Sequence, residues 1–270
     1  MNHPTISSLF LGTALLLGAC GSDSPDRSAK TVDVRLAEYS IVMPDTISGP
    51  TVALSITNDG TKAHELGIAQ LKPGTTLDEA IAFVDAGGQE GAVLVDDPGG
   101  TGIIGAGAML GYDRDLAPGT YVLFCSLPAP DQMNHAQHGM VKLFTVGDGN
   151  DSNLPKADLT ILLQDDTISV PALTAGTHMI AITNSGTGPH ELSIGGLPKD
   201  VDLSRGAEIG EWIGSGQDGP APVDVDFPGG VKSIQPGVTV VLTVTFKTGH
   251  TYLFSDNSTG EELSTVVEVP

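Results

Sequence analysis

One group of side chains has types and a spacing that predict metal chemistry. A thiol, an imidazole and a thioether share one short segment and a second imidazole lies upstream; the four residues are His64, Cys125, His135 and Met140. Thiolate and thioether sulfurs favour Cu(I), whereas imidazole nitrogens suit both oxidation states of copper. Two histidines, one cysteine and a weak axial methionine form the ligand set of an electron-transfer copper site. The sequence therefore predicts that these residues bind one copper ion.

A loop anchored by a strand at each end is predicted to hold three of the four ligands. Residues 120–124 (TYVLF) follow a Pro-Gly turn and are rich in aromatic and β-branched residues, which is typical of a strand. Residues 141–146 (VKLFTV) form a second predicted strand, and Cys125, His135 and Met140 lie between the two. Ligands held on rigid elements need little rearrangement when the metal gains or loses an electron.

The fourth ligand follows another predicted strand. Residues 51–57 (TVALSIT) alternate, with the larger apolar side chains on one face, as expected of a half-buried strand. The turn sequence Asn-Asp-Gly at 58–60 comes next and leads to His64. An earlier alternating segment, 31–36, predicts the first strand of the fold.

The segment that carries His64 occurs twice in the chain. Residues 56–68 (ITNDGTKAHELGI) and 182–194 (ITNSGTGPHELSI) are identical at nine of thirteen positions. Because the period is far too long for a solenoid, the duplication predicts two domains. We predict copy one at 31–146, a polar linker at 147–156 and copy two at 157–270.

Copy two is predicted to lack the metal site. Leu253-Phe254-Ser255 is aligned with Leu123-Phe124-Cys125, and the last strands are aligned with each other. The four positions equivalent to the ligands then hold His190, Ser255, Ser258 and Leu263. A hydroxyl is a poor ligand for Cu(I), and a single imidazole does not make a site. Copy two is therefore predicted to be a metal-free domain with a structural or docking role.

The composition favours an all-β protein. The chain has 35 glycines and 18 prolines, only 17% of its residues are charged, and short strand patterns alternate with turn residues. Residues 76–79 (TLDE) have the form of a capping box and predict a short helix in the long connection of copy one. A weaker counterpart lies at 204–212 in copy two.

These motifs together resemble the cupredoxin, or blue copper, family. The resemblance rests on a histidine after an Asn-Asp-Gly turn, a cysteine at the end of a later strand, and a histidine and methionine five residues apart before the last strand. It extends over both copies, although the ligand pattern is complete only in copy one. It implies an all-β fold of two tandem cupredoxin-like Greek-key β-sandwiches, each with a short helix in its long connection.

The resemblance also implies a role for each ligand. His64, Cys125 and His135 would be the strong ligands of one type 1 copper, Met140 the long axial ligand, and the imidazole edge of His135 the port for electrons. His138 competes with His135, but its spacing of two residues from Met140 fits the family poorly. Nine residues separate Cys125 from His135, which is longer than in plastocyanin and azurin and nearer to the copper domains of nitrite reductase.

The N-terminus is predicted to be a targeting segment. Residues 8–19 are apolar but too short to span a bilayer comfortably, and 17–20 (LGAC) resemble the lipobox of bacterial lipoproteins. We therefore expect a signal peptide at 1–19, lipidation of Cys20, a flexible tether at 20–30, and a location in the cell envelope, facing the periplasm or the exterior. The alternative is an ordinary secretory signal with an incidental cysteine.

The charge excludes one class of partner. With a formal net charge of −21 and only 12 lysines and arginines, the chain has little with which to neutralise phosphates, and nucleic-acid binding is not expected. The acidity serves solubility or steers a basic partner to the surface. Redox proteins, basic or membrane-bound, are the predicted partners, and the lipid anchor would hold the chain near the membrane.

Three functions are compatible with this pattern. The first is an electron carrier with one type 1 copper, and the second is copper binding for delivery, storage or tolerance. The third is a metal-free scaffold or adhesion lipoprotein. An enzyme is not expected, because nitrite reductases and multicopper oxidases need further imidazoles, whereas the chain has seven histidines and no His-x-His pair.

Overall fold

The structure is a computed structural model that describes residues 29–86, 94–149, 153–258 and 263–270. Copy one contributes nine strands and one helix: β1 Thr31–Ala37, β2 Ser40–Val42, β3 Thr46–Ser48, β4 Thr51–Asn58, β5 Gly67–Leu71, α1 Leu77–Asp85, β6 Leu94–Thr101, β7 Met109–Asp115, β8 Gly119–Phe124 and β9 Val141–Gly147. Copy two contributes β10 Leu159–Gln164, β11 Thr167–Ser169, β12 Gly176–Asn184, β13 His190–Pro198, α2 Gly206–Gly214, β14 Asp226–Ile234, β15 Thr239–Phe246, β16 His250–Asp256 and β17 Leu263–Val269.

The strands form two sheets that face each other. One has the order β11-β10-β12-β15-β7-β4-β1-β2, and the other has the order β17-β16-β13-β14-β6-β5-β8-β9-β3. Copy one supplies four strands of the first sheet and five of the second, copy two supplies four of each, and each copy so forms a sandwich. The predicted all-β class, with a sandwich and a short helix in each copy, is confirmed.

The two sandwiches are joined edge to edge in both sheets. The strand β7 pairs antiparallel with β15, and β6 pairs antiparallel with β14. Each pair consists of equivalent strands of the two copies, which is the pairing that a twofold relation between them produces. One cluster of buried apolar side chains runs through both copies. The predicted domain boundaries stay a prediction, but neither copy presents these strand edges to solvent.

A Pro-Gly-Gly sequence, which both copies contain at 98–100 and 228–230, lies at this junction. A Cβ atom at Gly99 would lie 1.8 Å from the carbonyl oxygen of Lys232, and one at Gly100 would lie 1.9 Å from that of Leu66. Gly99 and Gly100 also have φ angles of +93° and +143°. Only glycine fits such a close approach with that backbone. The motif therefore allows β6 to pass between its two neighbouring strands.

Most local predictions agree with the described elements. The strands predicted at 31–36, 51–57, 120–124 and 141–146 are β1, β4, β8 and β9. The capping box is formed, because the Thr76 hydroxyl accepts a hydrogen bond from Glu79 N and the Glu79 carboxylate accepts one from Thr76 N. The predicted signal peptide, the lipidated Cys20 and residues 21–28 of the tether lie outside the described residues, as do positions 150–152 of the linker. No helix in the described part of the chain is long and apolar enough to cross a membrane.

Candidate metal centre

His64 is held by the turn between β4 and β5. The buried Asn58 side chain organises this turn, since its Nδ2 donates to the carbonyl oxygens of Lys62 (2.8 Å), Ile104 (3.0 Å) and Gly105 (3.1 Å). Its Oδ1 accepts a hydrogen bond from Gly60 N at 2.9 Å. The backbone of His64 pairs with Ile104, with N···O distances of 3.0 and 2.7 Å. The position of this ligand is therefore fixed on both sides by hydrogen bonds.

The other three predicted ligands lie on the loop between β8 and β9, which is closed by hydrogen bonds of its own backbone. Cys125 N donates to the Met140 carbonyl at 3.1 Å, and Met140 N donates to the His135 carbonyl at 2.9 Å. His135 N donates to the carbonyl of Leu127 at 2.9 Å. The long loop thus brings residues that are distant in sequence onto neighbouring positions.

Three of the predicted ligands meet at one point. His64 Nδ1 lies 3.1 Å from His135 Nδ1, and Cys125 Sγ lies 3.4 Å from the same atom. The ligand atoms of the three residues all lie within 4.8 Å of one another, so the group could hold a metal ion. All three side chains and Met140 are 0% exposed. It is the only such group of His, Cys, Asp and Glu within the residues that the structure describes.

The chemistry of these donors fits a soft or borderline metal ion. Burial, together with the charge of His135, lowers the pKa of His64 to about 4, and burial likewise lowers the pKa of His135. Burial also raises the pKa of the Cys125 thiol to about 12. The metal-free group is therefore uncharged near neutral pH, and a bound ion would displace the thiol proton. Nε2 of His64 and Nε2 of His135 are both buried with no hydrogen-bond partner in the described part of the chain.

His138 does not belong to this group. Its Nε2 lies 3.1 Å from Asp131 Oδ1, and its side chain is 26% exposed. The rings of His138 and Tyr39 have centroids 4.6 Å apart. Of the two candidate histidines on the loop, His135 is the one that the fold brings to His64 and Cys125.

The role of the His135 imidazole edge as the port for electrons stays a prediction, but the ring does not itself reach the surface. His135 is 0% exposed, and the ring of Tyr39 meets it edge to face with 5.2 Å between the centroids. Tyr39 itself has a positive φ of 62°, a conformation that few residues with a side chain adopt. Surface covering of a ligand by a residue from a distant turn leaves no pattern in the sequence around His135.

The equivalent position in copy two differs from the one that the sequence alignment gives. In copy one, Ile68 pairs with Leu123, whereas its equivalent Ile194 pairs with Phe254. Leu123 therefore corresponds to Phe254, and the residue equivalent to Cys125 is Asp256 instead of Ser255. The sequence held a signal for this register in the shared Thr-Tyr pair at 120–121 and 251–252.

In copy two, Asp256 forms a hydrogen bond with His190. Its Oδ2 lies 2.5 Å from His190 Nδ1, and His190 Nε2 lies 3.3 Å from Asp165 Oδ1. Both His190 and Asp256 are fully buried. A carboxylate thus occupies directly the side of the imidazole that a metal would need. His190 is a structural, hydrogen-bonded histidine in this copy.

Several polar residues around the candidate centre were not predicted from the sequence. Glu65 follows His64 and is 4% exposed, and it accepts a hydrogen bond from the hydroxyl of Ser126, the residue after Cys125. Gln217 and Lys232 of copy two also reach the residues beside His64. Only the buried glutamate had a sequence signal, since the His-Glu-Leu triplet occurs in both copies.

Comparison with known proteins gives similarities to solved structures only. No family model matches the sequence, and no curated protein matches it. The chain is similar to reduced auracyanin from the photosynthetic bacterium Roseiflexus castenholzii, with 21% identity over 45% of this chain and 99% of that chain and a TM-score of 0.32.

Two further structures extend this comparison. Auracyanin B is 25% identical over 46% of this chain and 91% of that chain, with a TM-score of 0.31. The blue copper oxidase from Nitrosomonas europaea is 15% identical over 88% of this chain and 85% of that chain, with a TM-score of 0.25. The capacity of the site to hold a metal ion follows from its own residues and distances.

Proposed function

We propose that this chain is a lipid-anchored, extracytoplasmic type 1 copper protein that carries single electrons between redox partners. The observation that carries the proposal is the buried group of His64, Cys125 and His135, whose ligand atoms all lie within 4.8 Å of one another. A bound copper ion supplies the one-electron couple, and a thiolate with two imidazoles is the strong ligand set that such sites use. Met140, fully buried on the loop of Cys125 and His135, would supply the fourth, weaker sulfur ligand.

The burial of the group favours electron transfer over substrate chemistry. Catalytic metal sites keep an open position for water or substrate, whereas all four predicted ligands here are 0% exposed. Electrons can cross a closed shell of side chains, and the shell over His135 includes Tyr39. The further copper centre of an oxidase or a nitrite reductase would need more imidazoles, and no His-x-His pair occurs in the sequence.

The same burial weighs against copper delivery. A chaperone must release its ion to an acceptor, and this requires the ligands to become accessible. In this chain the ligands are enclosed and both loops that carry them are closed by backbone hydrogen bonds.

Membrane attachment is part of the proposal because residues 17–20 resemble a lipobox. Replacing Cys20 by serine should move the protein from the membrane fraction to the soluble fraction.

Visible absorption and electron paramagnetic resonance of the chain beginning after Cys20 test the copper proposal. Loading with Cu(II) should give one copper per chain and a strong thiolate-to-copper absorption band, which Cys125→Ser and His135→Ala should abolish. His138→Ala is the matched control, because this histidine lies on the same loop outside the group, and it should keep the band. A colourless Cu(I) protein that passes copper to an acceptor would support delivery, and a chain that binds no copper would exclude both functions.

A further inference from the structure

We infer that the metal-free copy positions the predicted copper ligands of the other copy through two side chains, Gln217 and Lys232. The inference rests on the proposed copper function. All four predicted ligands belong to copy one, but the residues on either side of His64 are held by copy two. Ala63 is bound by Gln217, and Glu65 is bound by Lys232.

Gln217 clamps the backbone just before His64. Its Oε1 accepts a hydrogen bond from Ala63 N at 2.6 Å, and its Nε2 donates to the Ala63 carbonyl at 2.9 Å. The side-chain amide therefore pairs with Ala63 on both of its polar groups, as a neighbouring strand would. Lys62 adds to this contact, because its Nζ donates to the carbonyls of Gly216 and Gln217, both at 2.9 Å.

The backbone conformation of Gln217 indicates that the surrounding structure holds this residue in place against Ala63. The residue is 3% exposed and has a φ of +56°, which a residue with a side chain adopts only when its surroundings require it. The preceding Gly216 has a φ of +80°, and a Cβ atom there would lie 2.2 Å from the carbonyl carbon of Ala129. Ala129 belongs to the loop between Cys125 and His135. The turn after α2 thus lies against both segments that carry the ligands.

Lys232 acts on the other side of His64. Its Nζ lies 2.6 Å from Glu65 Oε1, and the Glu65 side chain is 5% exposed. The same oxygen accepts the hydrogen bond of the Ser126 hydroxyl. Glu65 therefore links the segment of His64 to the segment of Cys125, and Lys232 balances its buried charge. The Lys232 side chain is 33% exposed, but its loss would leave the buried carboxylate of Glu65 without its ion-pair partner.

These contacts explain how a copy without ligands contributes to the site. Residues that hold metal ligands in place set ligand orientation, and their loss typically reduces metal affinity tenfold to a hundredfold. Gln217 and Lys232 do not touch the ligand atoms themselves, so they are positioning residues. A purely structural role would lower stability and leave the electronic properties of the copper unchanged. A positioning role changes those properties as well.

The experiment compares four variants in the full-length, copper-loaded protein. Gln217→Asn keeps an amide and suits the positive φ, but it is one methylene too short to reach Ala63. Lys232→Met keeps the length of the side chain and removes its charge. Lys232→Arg should preserve the ion pair with Glu65. Lys247→Met is the matched control, since Lys247 forms an ion pair of 2.9 Å with Asp226 within copy two.

Gln217→Asn and Lys232→Met should shift the thiolate-to-copper absorption band, the paramagnetic resonance spectrum and the reduction potential, and should weaken copper retention about tenfold or more. Lys232→Arg and Lys247→Met should keep the parent spectrum. Circular dichroism of each variant establishes whether it is folded. If either Gln217→Asn or Lys232→Met fails to fold, the other still provides an independent test.

Folded Gln217→Asn and Lys232→Met proteins with the parent spectrum, potential and copper retention would overturn the inference while leaving the copper function intact. If the parent chain shows no such band, the copper function fails and the inference fails with it. The two failures are therefore distinguishable from the parent spectrum alone.

Discussion

Asn58 and its counterpart Asn184 offer a matched test of how the turn before each histidine is held. Both side chains are 0% exposed. Asn184 repeats the contacts of Asn58, because its Nδ2 donates to the carbonyls of Gly188 (2.8 Å) and Ile234 (2.7 Å) and its Oδ1 accepts from Gly186 N (2.8 Å). The two turns differ in the histidine to which each leads, which is a candidate metal ligand in copy one and is bonded to aspartate in copy two.

The cost of removing either side chain can be worked out from its hydrogen bonds. The two Nδ2 hydrogens and the Oδ1 acceptor of Asn58 together make about three hydrogen bonds, each worth roughly 1 kcal/mol net, and alanine leaves some of the buried backbone groups without a partner. We therefore expect Asn58→Ala and Asn184→Ala each to lower the free energy of unfolding by about 3 kcal/mol. Only Asn58→Ala should weaken copper binding, by about tenfold, because it loosens the segment of His64.

Urea denaturation of the metal-free proteins and copper titration of the folded ones measure the two effects separately. Similar losses of stability with a copper effect confined to Asn58→Ala would support the reasoning. A loss of less than about 1 kcal/mol for Asn58→Ala would show that the turn does not depend on these hydrogen bonds. An equal effect of both variants on copper affinity would show that the turn of copy one does not act locally on its ligand.

Two further predictions concern pH and metal removal. Partial burial opposes the charge of Glu38, but hydrogen bonds from its own backbone and from Thr61 and Lys62 outweigh it and lower its pKa from 4.5 to about 2. A carboxyl group whose pKa is lower in the folded than in the unfolded state stabilises the fold at any pH above its unfolded pKa. The free energy of unfolding of the parent should therefore exceed that of Glu38→Gln by about 1 kcal/mol at pH 7, after allowance for solvent screening. This difference should shrink as the pH falls from 4.5 towards 2. Urea midpoints at pH 7 and pH 3 measure it, and a difference independent of pH would contradict the assignment. In the metal-free protein, the Cys125 thiol is buried and its pKa is raised from 9.0 to about 12. At pH 8 it should therefore react with a thiol reagent about a hundredfold or more slowly in the folded protein than in urea. Equal rates would mean that the loop of Cys125 is open in the folded protein.

The individual helices and strands could be predicted from the sequence because capping and alternation patterns extend over only a few residues. The capping box at Thr76 and Glu79 is formed as predicted, and the strands at 31–36 and 120–124 were visible from residue type and alternation. The segment 96–110 is rich in glycine and lacks the alternation typical of a strand, although it contains most of β6 and the start of β7. Its glycines serve a close approach to copy two and to β5, and glycine hides the alternation on which strand prediction depends.

The identity of the candidate ligands was determined by the sequence alone. Donor chemistry is a property of residue type, and the order of His64, Cys125, His135 and Met140 along the chain was enough to select them. The tertiary structure decided what surrounds them, including the covering of His135 by Tyr39.

The register of copy two and the contribution of Gln217 were also decided by the tertiary structure. Because the strand pairing differs by one residue from the sequence alignment, Asp256 instead of Ser255 stands at the position equivalent to Cys125. Gln217 contacts Ala63, which is 154 residues away in the sequence. Strand register and contacts of this range depend on how whole sheets pack, because their free energy comes from many side chains at once. Apart from the Thr-Tyr pair that both copies share at 120–121 and 251–252, no short stretch of the chain encodes them.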